Sequence, residues 1–372
     1  MVDERSLKFM EELTNSFGPS GFEEEPVRIV RDYVSKFSDR VYYDKLGSLM
    51  FEKKGTADSP KVLIPGHIDE VGMIVSSINK HGFLTFNPLG WWFDQVLLSQ
   101  RVVVRTEKGP IRGVIASKPP HLMPADERTK VVLMNKMFID IGASNKEEAE
   151  AMGARIGNPV VPDSRFSTRK KIVFKDGKKK GEDLIAIGKA FDNRIGAWAA
   201  AEVVRRLSEK NIRHPNTAIG AATTLEEVGL RGARTTAHIS KPDVCIALDA
   251  DVAGDVPGID ESEAAAKMGY GPSITTYDSS MIPNQRLLDF LIRIAEKNKI
   301  PIQLSQVVAD TDAGAIHTVG AGCPSVVFGV PARHVHSHVG LFSIADAENC
   351  VRLVIEMIKH LDKATVEGFT ES

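Results

Sequence analysis

The sequence predicts an α/β protein that carries a small all-β insertion. Apolar runs such as Thr217 to Ala222, Val244 to Leu248 and Ser325 to Val330 have the length of buried strands, and they alternate with helical patterns. Between about residues 74 and 165 that alternation stops, and short β-like segments separated by Gly and Pro turns take over, at the spacing of a small barrel or sandwich. A chain of 372 residues is also long for one core, so one large domain with an insertion, or two domains, is expected.

Bulk properties exclude several function classes. The composition, 42% hydrophobic and 26% charged, is that of an ordinary globular protein. A formal net charge of -2 leaves no footprint for nucleic acid or an anionic membrane. Cys245, Cys323 and Cys350 are far apart and odd in number, which favours reduced, buried thiols over a disulfide framework. The first ten residues carry Asp3, Glu4, Arg5 and Lys8 without an apolar core, so no signal peptide is expected. No window reaches the apolar length of a membrane span. A soluble cytoplasmic protein is the expectation.

Taken in order, helical periodicity over 4–14 and 23–37 is broken by the turn Phe17-Gly18-Pro19-Ser20-Gly21. In the second segment Val27, Val30, Val34 and Phe37 recur at three- and four-residue spacing. The short strand Val62 to Ile64 then runs into Pro65-Gly66-His67-Ile68-Asp69-Glu70. Residues two apart on extended backbone share a face. Asp69 could therefore accept the second ring N–H of His67 and orient it as a metal ligand; a histidine bonded to its own loop is the plainer alternative.

Within the insertion, strands are expected over 72–78, 83–86, 101–106, 111–115 and 137–141, with one short helix over 146–152. Trp91-Trp92-Phe93 and Leu122-Met123 are candidates for apolar contact, with burial in the insertion's own core the simpler use. Lys175, Lys178, Lys179 and Lys180 flank Asp176-Gly177, a hairpin turn signal, and read as a solvated hairpin tip rather than a nucleic-acid patch.

The α/β pattern resumes with the strand Leu184 to Ile187 and a helix to about Lys210, with Ala197, Ala200, Val203, Val204 and Leu207 on one side. Asp192 stands just ahead of that helix, where an aspartate commonly caps free N–H groups. The strand Thr217 to Ala222 gives way to Thr223-Thr224-Leu225-Glu226-Glu227-Val228-Gly229. Adjacent side chains on extended backbone diverge, so one glutamate could hold a metal while the other faces water or substrate. A Glu-Glu pair on a solvated turn is the bland alternative. The next strand ends in Asp249, with Asp251 and Asp255 close behind. A helix over 287–297, a strand over 302–308 and Asp310-Thr311-Asp312 follow. The last strand opens into Arg333-His334-Val335-His336-Ser337-His338, and a final helix starts at Ser343 with Asp346 as its capping-box partner.

His67, Asp192, Glu226, Glu227, Asp249 and His336 or a neighbour all stand just after the apolar run of an expected strand. Open α/β sheets bind ligands there. Imidazole and carboxylate donors without thiolate suit Zn²⁺, Co²⁺ or Mn²⁺. Two histidines and three carboxylates suffice for two ions sharing a bridging carboxylate, and one carboxylate remains as a base. The residues read as a dinuclear metallohydrolase.

The ordered motifs are His67-Ile68-Asp69-Glu70-Val71-Gly72, Ala190-Phe191-Asp192-Asn193-Arg194, Glu226 to Ala233, Asp249 with Asp255-Val256-Pro257-Gly258, and Arg333-His334-Val335-His336-Ser337. In this order the chain resembles the glutamyl-aminopeptidase and deblocking-aminopeptidase family, which includes the TET-type tetrahedral aminopeptidases. The resemblance implies a zinc-peptidase-like α/β/α sandwich made of residues 1–73 and 166–372. A PDZ-like barrel, residues 74–165, would be inserted after the His67 strand and used for dimerisation. It implies two divalent ions per subunit, Zn or Co first and Mn as an alternative: His67 and Asp249 on one, Glu227 and His336 on the other, Asp192 bridging. Glu226 would be the general base, and Asp69 would orient His67. The implied activity is removal of N-terminal residues from short peptides by a homo-oligomer, dimers assembling to a tetrahedral dodecamer.

Two departures stand out. Leu225 occupies a position where many relatives carry glutamine, and His334 and His338 flank His336, which the Arg-x-x-His-Ser framing favours. Asp312 is read as supporting or structural. The same site could serve an amidohydrolase or deacylase acting on small N-acyl compounds. A glycosidase would use two carboxylates without metal, against which the histidines argue. A non-catalytic assembly protein is at odds with retention of every ligand and the base. The N-terminal residue preference stays open.

Overall fold

The computed structural model describes residues 2–175, 178–306 and 309–370. At its centre, four strands run parallel: Thr217–Thr223, Lys61–His67, Val244–Val252 and Ser325–Arg333, side by side in that order. Their residues are almost all buried, as expected of parallel strands covered on both faces. Antiparallel strands complete an eleven-stranded mixed sheet: Leu49–Lys54 and Arg40–Tyr43 at one edge, and Gly340–Ser343, Lys178–Gly188 and Ser167–Lys175 at the other. Ser273–Tyr277 and Gln303–Gln306 branch off at the Ser325 strand.

Alternation along the strands divides the core. Val62 and Ile64 join one apolar cluster, with residues of the helices Glu4–Asn15, Glu24–Val34, Phe191–Glu209, Gln285–Lys297 and Ile344–Ile358. Leu63, Cys245 and Val327 join another, with Ala233 and Ala237 of the helix Arg231–Ser240 and Ala313 to Ile316. The Phe191–Glu209 helix lies so close to the sheet that only glycine fits between. A Cβ on Gly66 would stand 2.3 Å from the carbonyl carbon of Gly196, and one on Gly196 would stand 2.3 Å from the Leu248 carbonyl oxygen.

The stretch expected to be all-β closes into a six-stranded barrel, in the order Gly72–Ile78, Leu84–Leu89, Phe138–Asp140, Gly109–Ala116, Arg101–Thr106 and Pro159–Pro162. It has its own apolar cluster, with Met73, Leu84, Val104 and Ile139 fully buried. Its one α-helix, Lys146–Met152, is capped by Asn145, whose side chain accepts the Glu148 N–H. Trp92 is buried there, but Trp91, Phe93 and Leu122 are exposed, so the aromatic run is only partly core.

Several expected elements differ in extent. The second helix ends at Val34 rather than Phe37, and the strand expected over 302–308 covers Gln303–Gln306, with 307 and 308 outside the described residues. The strands flanking Asp176-Gly177 pair antiparallel as a hairpin requires, while those two turn residues lie outside the described residues. Cys245 and Cys350 are buried, Cys323 is half-buried, and all three are free thiols. No described helix is long and apolar enough to cross a membrane.

Candidate functional site

The carboxyl ends of the four parallel strands converge, and each delivers part of one cluster. His67 ends its strand; Asp249 lies near the end of another; Glu226 and Glu227 follow Thr217–Thr223, and His336 follows Ser325–Arg333. Asp192 comes from the start of the Phe191–Glu209 helix, where Asp192 and Asn193 have non-helical backbone and no side chain caps the N-terminus. The capping role open to Asp192 is not the one it takes. Its Oδ1 lies 3.1 Å from Nε2 of His67 and its Oδ2 lies 3.1 Å from Nε2 of His336. Asp249 Oδ1 stands 3.8 Å from the same His67 nitrogen, and Glu227 Oε2 stands 3.5 Å from the His336 nitrogen. Glu226 Oε2 is 3.5 Å from His67 Nε2. The two glutamates therefore diverge toward different histidines.

The ring orientations come largely from main chain. His67 Nδ1 donates to the Asp69 carbonyl oxygen at 3.2 Å, with the Asp69 carboxylate at 3.6 Å. His336 Nδ1 donates to the carbonyl oxygen of Trp91, from the barrel segment, at 2.7 Å. In both rings Nε2 is thereby left to face the carboxylates. The Asp69 side chain also braces the glutamate pair. Its two oxygens accept the N–H groups of Glu226 and Glu227, each at 3.1 Å, and the Ser20 hydroxyl at 2.7 Å. Glu23 adds a further tie by accepting the Leu225 N–H at 3.0 Å, where Leu225 is held at φ 57°. Beneath these, the buried Glu70 carboxylate takes Lys189 Nζ at 2.6 Å and Arg194 Nη2 at 3.0 Å. Arg194 also donates to the carbonyls of Leu13 and Ser16, fixing the Phe17 to Gly21 turn against the site.

Sequence reasoning finds the seven candidates but not these supports. The Trp91 and Asp69 carbonyls carry no sequence signal, since any residue supplies one. Ser20 and Glu23 look like ordinary turn residues.

Electrostatics follow from packing like charges together. Burial, followed by the charge of Asp192, pushes Glu227 well above the usual carboxylate range, and burial pushes Asp249 up likewise, against the opposing pull of His67 and with Asp192 and Asp312 adding to the rise. Burial does the same to Glu226, against the opposing pull of His67. Burial opposes the Asp192 anion too, but the hydrogen bonds of His336 and His67 outweigh it and hold Asp192 low. Burial disfavours the His67 imidazolium, yet Glu226, Asp192 and Asp69 raise it well above the ordinary value. Asp69 is lowered despite its burial, by His67, Ser20 and the Glu226 N–H.

The donor set fits divalent cations. Ligand atoms of His67, Asp192 and Glu227 all lie within 4.8 Å of one another. Glu227 Oε1 is buried with no hydrogen-bond partner among the described residues, an arrangement that costs free energy unless a positive charge completes it. Of the flanking histidines, His338 is buried against Trp92 at 5.4 Å between rings, with neither ring nitrogen bonded, and His334 makes no ion pair with the cluster among the described residues. Asp312 is buried behind the strands, where the Thr223 hydroxyl donates to it. Six of the seven candidates line one cavity of about 430 Å³; Asp69 stands behind its wall.

The M42 glutamyl aminopeptidase family model matches residues 47–353. The lysyl aminopeptidase of Pyrococcus furiosus is 32% identical over 365 residues, covering 97% of this chain and 98% of its own. Among solved structures, the TET aminopeptidase of a marine sediment Thaumarchaeota archaeon is 56% identical and superposes with a TM-score of 0.93 over 99% of each chain. The TET1 peptidase of Pyrococcus horikoshii, which can assemble into a tetrahedron or a large octahedral shell, is 29% identical with a TM-score of 0.80, over 96% of this chain and 100% of its own. The fold is thus the α/β fold of TET peptidases, with its mixed sheet and closed barrel. With the match running through most of its length, the chain belongs to the M42 glutamyl aminopeptidase family and is an aminopeptidase, a metal-dependent hydrolase of peptide bonds.

Proposed function

We propose that the enzyme removes N-terminal residues from short peptides with two divalent ions per subunit. His67 and Asp249 would hold one ion, Glu227 and His336 the other, with Asp192 shared. The observation that carries this reading is the split of the Asp192 carboxylate, one oxygen at 3.1 Å from each histidine. Zn²⁺ and Co²⁺ suit these donors best, with Mn²⁺ an alternative. When bound, such ions polarise a carbonyl and make water more acidic.

The chain's own residues do the rest. Glu226 takes a proton from the attacking water at its carboxylate and returns it to the leaving amine. Asp69 fixes the backbone of both Glu226 and Glu227, so base and ligand keep a set spacing. Trp91, through its carbonyl, fixes the His336 ring.

For the architecture, we assign residues 1–73 and 166–372 to a catalytic α/β/α sandwich, supported by the apolar clusters on alternate strand residues. Residues 74–165 are assigned to a PDZ-like dimerisation unit, supported by the separate apolar cluster of the barrel. Exposed apolar side chains there, Trp91 at 67% and Leu122 at 68%, favour burial against further copies. We take the assembly to be dimers building a tetrahedral dodecamer, supported by a solved TET1 relative that is a dodecamer and by the Pyrococcus horikoshii TET1 peptidase, which can assemble into a tetrahedron. Three free cysteines suit a cytoplasmic setting.

The test is hydrolysis of Leu, Glu, Lys and Ala anilides beside their acetylated forms, with Zn²⁺, Co²⁺ or chelator. Free substrates alone should be cleaved, only with metal, and Glu226→Gln should lower kcat by roughly 10²–10⁴-fold. Equal cleavage of blocked and free substrates would sink the exopeptidase reading, and cleavage of acetylated compounds alone would make the enzyme a deacylase.

A further inference from the structure

The cavity that holds the metal-ligand candidates is lined by further residues as well. Part of this lining is aliphatic or small, from Val252, Thr275, Val327, Gly329 and Val335, and it includes three more carboxylates, Asp251, Asp278 and Asp310. Among the described lining residues there is no lysine or arginine. In the reading above, Asp192, Glu226, Glu227 and Asp249 serve the ions and the base, and Asp251, Asp278 and Asp310 are assigned to neither.

The three acids differ in what already holds them. Asp251 is buried and takes the Ser273 hydroxyl. Asp278 is buried and accepts the N–H groups of Ser280 and Met281, at 2.7 and 2.5 Å, and the Thr311 hydroxyl at 3.1 Å. Both therefore act first as structural acceptors. Asp310 is exposed at the cavity, its carboxylate taking the Ser279 hydroxyl at 2.5 Å, and it forms no ion pair among the described residues. Arg333, the basic residue nearest the ligand motif in sequence, is committed to Asp255. Arg231 opens its helix outside the cavity lining. An acidic substrate side chain would meet like charge, with no lysine or arginine in the described lining to pair with. A long aliphatic stem ending in a positive charge would find apolar walls and, in Asp310, an exposed carboxylate without an ion pair among the described residues.

We propose that this cavity selects peptides whose N-terminal residue is lysine or arginine, with Asp310 as the residue that reads the positive charge. The inference rests on the aminopeptidase reading of the cavity and names its substrate class, which the family's glutamyl description does not.

The experiment compares kcat/KM for Lys, Arg, Leu and Glu anilides with the metal-loaded wild type, Asp310→Asn and Asp310→Lys, using Glu226→Gln as the blank. The wild type should favour Lys and Arg over Glu by about tenfold or more, and Asp310→Asn should lower the Lys:Leu ratio by about tenfold, mainly through KM, the size of one charge-assisted contact. Asp310→Lys should bring Glu above Lys. A wild-type preference for Glu overturns the proposal, whatever the variants do. So does an unchanged Lys:Leu ratio in both variants, including an equal loss on all substrates, which would put Asp310 near the α-amine instead. If Leu is cleaved well while Lys is not preferred, only the specificity falls; if no free substrate is cleaved, the aminopeptidase reading falls with it.

Discussion

Asp192 and Asp69 show how a single carboxylate acquires its role from its surroundings. Asp192 sits where an aspartate ordinarily caps a helix, yet its oxygens go to His67 and His336, 269 positions apart in the chain. The sequence predicts that Asp69 orients His67 with its side chain; the Asp69 carbonyl oxygen takes His67 Nδ1 at 3.2 Å with the carboxylate at 3.6 Å, and that carboxylate also grips the backbone of both glutamates. Asp69→Asn should therefore damage the base and a ligand together. It keeps one acceptor oxygen where the aspartate has two, so metal affinity should weaken by roughly 10–100-fold, with kcat falling in parallel under saturating metal. Equilibrium dialysis with metal analysis, beside kinetics, checks it; unchanged metal binding would reduce Asp69 to a passive neighbour. Residue types and order are legible from sequence. The partners are not, because backbone carbonyls such as that of Trp91 leave no mark on it.

Among the elements, those with strong periodicity are legible and those built on weak patterns are not. Three of the four parallel strands are long apolar runs, and the Phe191–Glu209 helix has a broad apolar side. The helix Arg231–Ser240, by contrast, buries only Ala233 and Ala237 among its apolar residues, too small a stripe to announce itself. The strand Leu49–Lys54 ends in Glu52-Lys53-Lys54, which hides its pairing with Thr217–Thr223. Packing distance is also invisible in the sequence, although it decides where Asp192 lands. The Gly66 and Gly196 contact lets helix and sheet touch backbone to backbone. Gly66→Ala should force them apart at a cost of roughly 2–4 kcal/mol, read as a lowered denaturation midpoint. A variant as stable as the wild type would mean the helix slides without penalty. The displacement should also lengthen the Asp192 to His67 approach, so residual activity should fall even at full occupancy of the fold.

At the scale of the whole molecule, the barrel segment reaches the active site. It supplies the carbonyl that orients His336, and a Cβ at Gly90 would stand 2.9 Å from Glu227 Oε2. The proposed dodecamer is tested here by sedimentation equilibrium. Wild type should sediment as a closed shell, and replacing the exposed Leu122 and Leu133 by glutamate should shift it to smaller species. A wild-type chain that stays monomeric at micromolar concentration removes the assembly reading. If the shift does occur, activity on anilides should report whether the barrel's position against His336 survives loss of its neighbours.

The scatter of the site along the chain also bears on biosynthesis. The proposed ligands stand at residues 67, 192, 227, 249 and 336, and the strands that carry them are not in chain order within the sheet. A nascent polypeptide on the ribosome therefore lacks the set until His336 has emerged. Contacts of such sequence separation also form late in folding. On the proposed ligand set, a fragment that ends short of His336 lacks one ligand, so it is expected to show no peptidase activity when purified beside the full chain.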